Sequence, residues 1–204
     1  MTTDIAYDEE KHEYRQNGIV VPSVTTICKI LDPLPPFIPK EEMAWLANRG
    51  HAIHTATELL EEDDLAWDML DERIVPQVRA WAKFIADTGF MTYESEVRVD
   101  HFGFGYAGRL DRIGWFPSKG HSRKPEKLVI LDIKSGAPTL AAGPQTAAYM
   151  AAWNTQNQGM HRVTARYVVQ LTEEGEAKLH LLTNPHDFRA FEAALVIHQW
   201  RNSQ

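Results

Sequence analysis

Residues 128–136 read LVILDIKSG, and this stretch decides the architecture. Leu128, Val129, Ile130, Leu131 and Ile133 offer hydrocarbon to both faces, the pattern of a central strand covered on each side. Asp132 and Lys134 lie two apart and therefore share one face at the end of that strand. Charge there is costly unless it is paired or put to use. A simple salt bridge would satisfy the two residues; their surroundings argue for more.

Upstream, GRLDRI (108–113) reads as a second strand with Arg109 and Asp111 on one face and Leu110 on the other. SEVRV (95–99) reads as a first strand carrying Glu96. Glu94 shares its face, so alternation alone does not separate these two acids. Adjacent strands would bring Glu96, Asp111 and Asp132 together, and such a set repels unless a cation sits among them. Oxygen ligands with room for water suit Mg²⁺ or Mn²⁺, as one ion or two, better than Zn²⁺. Such an ion polarises a phosphoryl oxygen and acidifies bound water. Lys134 is placed to orient that water or to stabilise developing negative charge. Arg109, on the face of Asp111, reads as a phosphate clamp.

The 204 residues fit one domain. Its first part, 1–90, is a hairpin followed by helices. The middle part, 91–182, is strand-rich with one helix, and 183–204 is a closing helix. Asn17-Gly18 inside EYRQNGIVV predicts a type I′ hairpin, and Ser23 caps a short helix. No helix can cross DPLPPFIP (32–39). Residues 40–62 are helical in pattern, with Gly50 as the expected break between two helices and EEDD (61–64) as a solvated end. A third helix ends at Gly89. After it the period changes to two, giving three strands joined by HFGFG and by a basic loop, SKGHSRKPEK (118–127). An Ala-rich helix, two more strands and a helix beginning near Pro185 follow. The six Trp are expected in the core. Phe102, Phe104 and Tyr106 at a hairpin tip would pack a turn or stack on bases.

Net charge is −7, which at face value disfavours a nucleic-acid partner. It is unevenly spread, however: residues 1–72 hold sixteen acids against five bases, whereas 73–204 hold twelve against sixteen. Cys28 is the only cysteine, so one chain can form no internal disulfide, cysteine zinc site or four-cysteine iron–sulfur cluster. No run of 18 apolar residues predicts a membrane span. The acidic opening MTTDIAYDEEKHEYR does not resemble a secretory leader, and a cytoplasmic setting is the expectation.

These motifs together resemble the PD-(D/E)XK nuclease superfamily. GRLD is followed, 21 residues after Asp111, by Asp132-Ile133-Lys134. RGHAIHTATE (49–58) is similar to the helical G-x-x-x-H motif of the RecB-like branch, which includes phage exonucleases and the mitochondrial genome maintenance exonuclease. SEVRV is similar to its upstream acid motif, and QTAAY (145–149) to its Q-x-x-x-Y motif. The resemblance spans roughly residues 14–182 in order. It implies an α/β, restriction-endonuclease-like core: a central mixed β-sheet flanked by helices, with an N-terminal helical elaboration. It implies that Asp111, Asp132, the Ile133 carbonyl, Glu96 and His54 hold the metal and that Lys134 is the catalytic lysine. Gln145 and Tyr149, one helical turn apart, would hold DNA backbone or the lysine. His51 competes with His54, and His51, His54 and Glu58 form a rival metal set on one helix. The implied function is a metal-dependent DNA exonuclease of recombination, replication or repair, of phage type. An endonuclease of the same fold and an inactive nucleic-acid-binding module are the alternatives. The implied partners are DNA and a recombinase, helicase or single-strand-binding protein, with self-association also open.

Overall fold

The computed structural model describes residues 5–32, 39–117, 127–157 and 159–203. The proline-rich stretch 32–39 and the basic loop 118–127 fall almost entirely outside them.

Asn17 (φ 48°) and Gly18 (φ 82°) both adopt left-handed backbone, as a type I′ turn requires, and join β2 (Glu13–Gln16) to β3 (Ile19–Val21). A further strand, β1 (Ile5–Asp8), pairs antiparallel with β2, completing a three-stranded sheet. Four residues are too few for a legible period, so the sequence did not announce it. The Gln16 side chain donates to Asp100 at 2.6 Å in the interior and fastens this sheet to the main one. Ser23 Oγ accepts the Thr26 N–H and caps α1 (Val24–Cys28).

The main sheet runs in the order β4 (Met91–His101), β5 (Tyr106–Trp115), β6 (Leu128–Lys134), β7 (Val163–Leu171), β8 (Ala177–Leu181). Only β6 and β7 are parallel, which requires a crossover; α4 (Ala142–Gln156) supplies it. Six of the seven β6 residues are buried, as its apolar run predicts. Leu128 and Ile130 meet α1, α4 and the closing helix α5 (Asp187–Asn202) through Ile27, Tyr149, Trp153 and Phe191. Val129, Leu131 and Ile133 meet α2 (Lys40–Glu61) and α3 (Val75–Thr88) through Ile53, Val78 and Trp81.

Two expectations change. Residues 40–61 form one helix that passes through Gly50 without a break. A helical glycine costs only about 1 kcal/mol relative to alanine, and the buried Ile53, Ala56 and Thr57 anchor the helix beyond it. By contrast Gly89, at φ 65°, ends α3 as read. The Trp residues divide: Trp81 and Trp153 are core, but Trp45, Trp67 and Trp200 are exposed. Of the hairpin-tip aromatics Tyr106 is buried and donates to the Ala148 carbonyl, whereas Phe102 is exposed.

Cys28 lies under α4, and burial pushes its thiol up to about 12. Alkylation at pH 8 is therefore expected to proceed only through unfolding. Labelling of Cys28 should track the global unfolding rate; fast stoichiometric reaction of the native protein would contradict this packing.

Candidate functional site

The β5–β6 ladder extends through Arg112↔Leu131 and goes no further toward the end of β6. There the Asp111 side chain takes over from backbone: its Oδ2 accepts the Ile133 N–H at 2.6 Å. On the other side, Glu96 stands opposite Asp111 in a left-handed conformation, φ 49°. The register runs unbroken through Glu94↔Ile113, Ser95↔Arg112 and Val97↔Leu110, the ladder's own shift lying earlier, between Thr92 and Glu94. Leu110 and Ile113, three apart, nevertheless enter the same core layer. A non-glycine residue in this backbone region is strained, and the strain turns the Glu96 carboxylate toward Asp111.

His54 arrives from α2. Its Nδ1 lies 3.5 Å from Asp111 Oδ1 and 3.6 Å from Glu96 Oε1, and one donor atom from each of the three residues lies within 4.8 Å of the others. His54 Nε2 is 3.1 Å from the Ile133 carbonyl oxygen. With that nitrogen donating, Nδ1 is directed at the carboxylates. Burial disfavours a charged imidazole, but Asp111 and then Glu96 outweigh it and hold the His54 pKa at about 9. Burial likewise opposes the Glu96 charge, yet His54, Arg109 and Arg112 keep its carboxyl below the usual range.

Asp132 stands outside this group. It is 1% exposed and paired with the Lys134 ammonium at 2.8 Å. Burial raises its carboxyl to about 6 even against that ammonium. Burial would also discharge Lys134, but Asp132 and then Asp111 more than compensate, so its pKa is raised and the ammonium persists. Lys134 Nζ donates to Gln145 Oε1 at 3.3 Å, and Gln145 Nε2 donates to the Tyr149 hydroxyl at 3.3 Å. The Tyr149 ring lies against bare backbone at Gly108: a Cβ there would come within 2.7 Å of it. This close approach gives the glycine of GRLD a physical role. Arg109 Nε pairs with Glu96 Oε2 at 2.8 Å.

His54, Glu96, Arg109, Asp111, Lys134, Gln145 and Tyr149 line a cleft of about 550 Å³, whose wall also includes Tyr14 from the small sheet and Leu46 and His51 from α2; Asp132 and Ile133 do not line it. The rival candidates separate by position. His51 lines the cleft but is exposed, Glu58 accepts from Ser95 Oγ, and Glu94 is exposed. Sequence reasoning missed Arg112 and Glu61, which lie beneath the site. Arg112 is fully buried: Nε donates to Glu61 Oε1 at 2.8 Å, Nη1 to the Asp111 carbonyl at 2.8 Å, and Nη2 to Thr57 Oγ1 at 3.1 Å. Glu61 also accepts from Trp81 Nε1 and Thr92 Oγ1, so it is a partly buried hub, while Glu62, Asp63 and Asp64 form the expected solvated helix end.

A profile of the PD-(D/E)XK nuclease superfamily matches residues 35–202. The chain belongs to that superfamily. PD-(D/E)XK nucleases use divalent metals and act on nucleic acid, so this chain is a phosphodiesterase by family. The solved structures similar to it include the following two. One is an alkaline exonuclease (LHK-Exo) from Laribacter hongkongensis, at 10% identity and TM-score 0.37, covering 86% of this chain and 85% of that one. The other is SSO0001, at 13% identity and TM-score 0.31, covering 71% and 70%. No curated protein matches. As a PD-(D/E)XK nuclease the chain has donors that suit a divalent cation: an imidazole, two carboxylates, and a buried Glu96 Oε1 with no hydrogen-bond partner among the described residues. No helix among the described residues is long and apolar enough to cross a membrane.

Proposed function

We propose that the protein is a Mg²⁺- or Mn²⁺-dependent DNA exonuclease serving recombination, replication or repair in the cytoplasm of a bacterial or phage-infected cell. The convergence of His54, Glu96 and Asp111 in a cleft that also holds Lys134 carries the hydrolytic reading. The exonucleolytic mode, DNA as the polymer and the phage setting rest on the RecB-like resemblance of the five motifs.

His54, Glu96 and Asp111 would hold the cation. Asp132 joins them if Lys134 moves to substrate, and the second lone pair of the Ile133 carbonyl remains for it. When bound, the ion supplies Lewis-acid polarisation of the phosphoryl oxygen and an acidified water. The chain's own groups do the rest. Lys134, kept cationic by Asp132, stabilises negative charge that grows on the phosphate as the P–O bond to the leaving oxygen breaks. Gln145 fixes the ammonium, and Tyr149 fixes Gln145. Burial raises the Tyr149 hydroxyl well above its ordinary pKa, so it stays neutral while it accepts from Gln145. Arg109 can exchange Glu96 for a phosphate oxygen.

End-labelled linear DNA and closed circular DNA, each with Mg²⁺, Mn²⁺ or a chelator, test this. Loss of linear DNA alone, abolished by chelator, is expected. Cutting of the circles would replace exonuclease with endonuclease. Inactivity with every metal would overturn the hydrolytic reading in favour of a binding module.

A further inference from the structure

The first thirteen residues of α2, 40–52, contain no buried position. A helical segment of that length gains too little from its own hydrogen bonds to be held firmly, and here it receives no core packing. It presents two stripes instead. Leu46, Ala47, Gly50 and His51 face the catalytic cleft. Trp45, Asn48, Arg49 and Ala52, spaced i, i+3, i+4, i+7, line a separate concavity of about 320 Å³ closed by Asp71 and Arg73.

The chemistry of that concavity is specific. The Arg49 guanidinium lies 5.4 Å from the Trp45 ring centroid and that of Arg73 lies 5.9 Å from it. The Arg49 side chain is only 10% exposed. Its Nη1 donates to Glu173 at 2.6 Å, and its Nη2 faces the Gln77 amide oxygen at 2.7 Å. Its Nε is buried and has no partner among the described residues. Arg73 is held by Asp71 through Nε and Nη2. An indole with two guanidinium groups, one carrying an unmet donor, suits a ligand that is both planar and anionic.

We propose that this outer face of α2 is a second nucleic-acid contact, taking one nucleotide of the strand beyond the cleft. Its base stacks against Trp45 and its phosphate meets Arg49 and Arg73. The assignment of the ligand as nucleic acid rests on the nuclease reading above. The volume suits a single nucleotide, and one α-helix diameter, about 10 Å, separates the two stripes, so one flexible strand can span both. The competing role for Arg49 is a strut that ties α2 to Glu173. A strut does not account for the exposure of Trp45 and Arg73 beside it.

Equilibrium binding of a labelled single-stranded oligonucleotide, measured with chelator present, tests the site without cleavage. Trp45→Leu and Arg73→Ala are each expected to weaken binding about tenfold, the usual scale for one stacked base. Arg73→Ala should also lower the slope of log affinity against log salt by about 0.7. Neither should change metal-dependent hydrolysis of p-nitrophenyl thymidine 5′-phosphate, which reaches only the cleft. Wild-type affinity in both variants would overturn the inference even if the wild type degrades DNA. Weakened binding in both, with no hydrolysis by the wild type, would sustain this contact and remove the nuclease reading instead. An effect confined to Arg49→Met, and there to thermal stability alone, would establish the strut and overturn the proposal.

Discussion

Asp111→Asn is expected to leave the fold near wild-type stability while lowering phosphodiester hydrolysis at least about 1,000-fold. Asp111 has two tasks, performed by different oxygens. Oδ2 accepts the Ile133 N–H at the point where the β5–β6 ladder stops, and Oδ1 faces His54. Asparagine keeps an oxygen for the first task, so no buried backbone donor is orphaned. It replaces the second with an amide that carries no charge and cannot serve as a carboxylate ligand. Lys134→Ala is the less discriminating variant. Asp132 has no other ion-pair partner among the described residues, and both its oxygens already lack hydrogen bonds that meet normal geometry. Without the ammonium it must take up a proton or destabilise the strand end. Hydrolysis by Asp111→Asn at a rate near wild type, with the Tm of both proteins measured alongside, would show that the chemistry lies elsewhere.

What could be read beforehand was local. The double positive φ of Asn17-Gly18, the stop at Gly89 and the two-sided burial of 128–133 follow from residue type within a few positions. His54 could be preferred to His51 only through motif resemblance, since helical period leaves both on the cleft side. Glu96 could not be separated from Glu94 by period-2 counting, because residues two apart share a face and nothing in the stretch announces the left-handed turn at Glu96. A trace of irregularity was present in the facing strand: Leu110 and Ile113 are apolar and three apart, with charge between them, which a regular strand does not tolerate. Gly50 misled because a breaker's effect depends on the packing beyond it, which composition does not record. Glu61 was illegible for a simpler reason. Its partner Arg112 is 51 residues away, and nothing in EEDD distinguishes the acid that turns inward.

Arg112→Met is expected to lower stability by about 3–5 kcal/mol, and Tm by about 10 °C. The guanidinium is fully buried, lies 5.9 Å from the Trp81 ring centroid, and reaches α2, β4 and β5 together. Methionine fills much of the volume, so the loss is electrostatic rather than a cavity. Glu61 would remain in the interior with its strongest donor gone, and Glu96 would lose the cation 3.6 Å from Oε1 that helps to keep it ionised. Removing the second charge should recover part of the deficit: Glu61→Gln combined with Arg112→Met should be more stable than the sum of the two single changes. Arg112→Lys keeps the charge but cannot address three acceptors in three directions, so it should restore less than half. The same guanidinium donates to the Asp111 carbonyl, which couples the hub to the catalytic cleft. Mn²⁺ affinity should therefore fall in Arg112→Lys although every candidate ligand is intact. A Tm for Arg112→Met equal to that of wild type would mean that the hub bears no weight, and that the strained turn at Glu96 is held by other contacts.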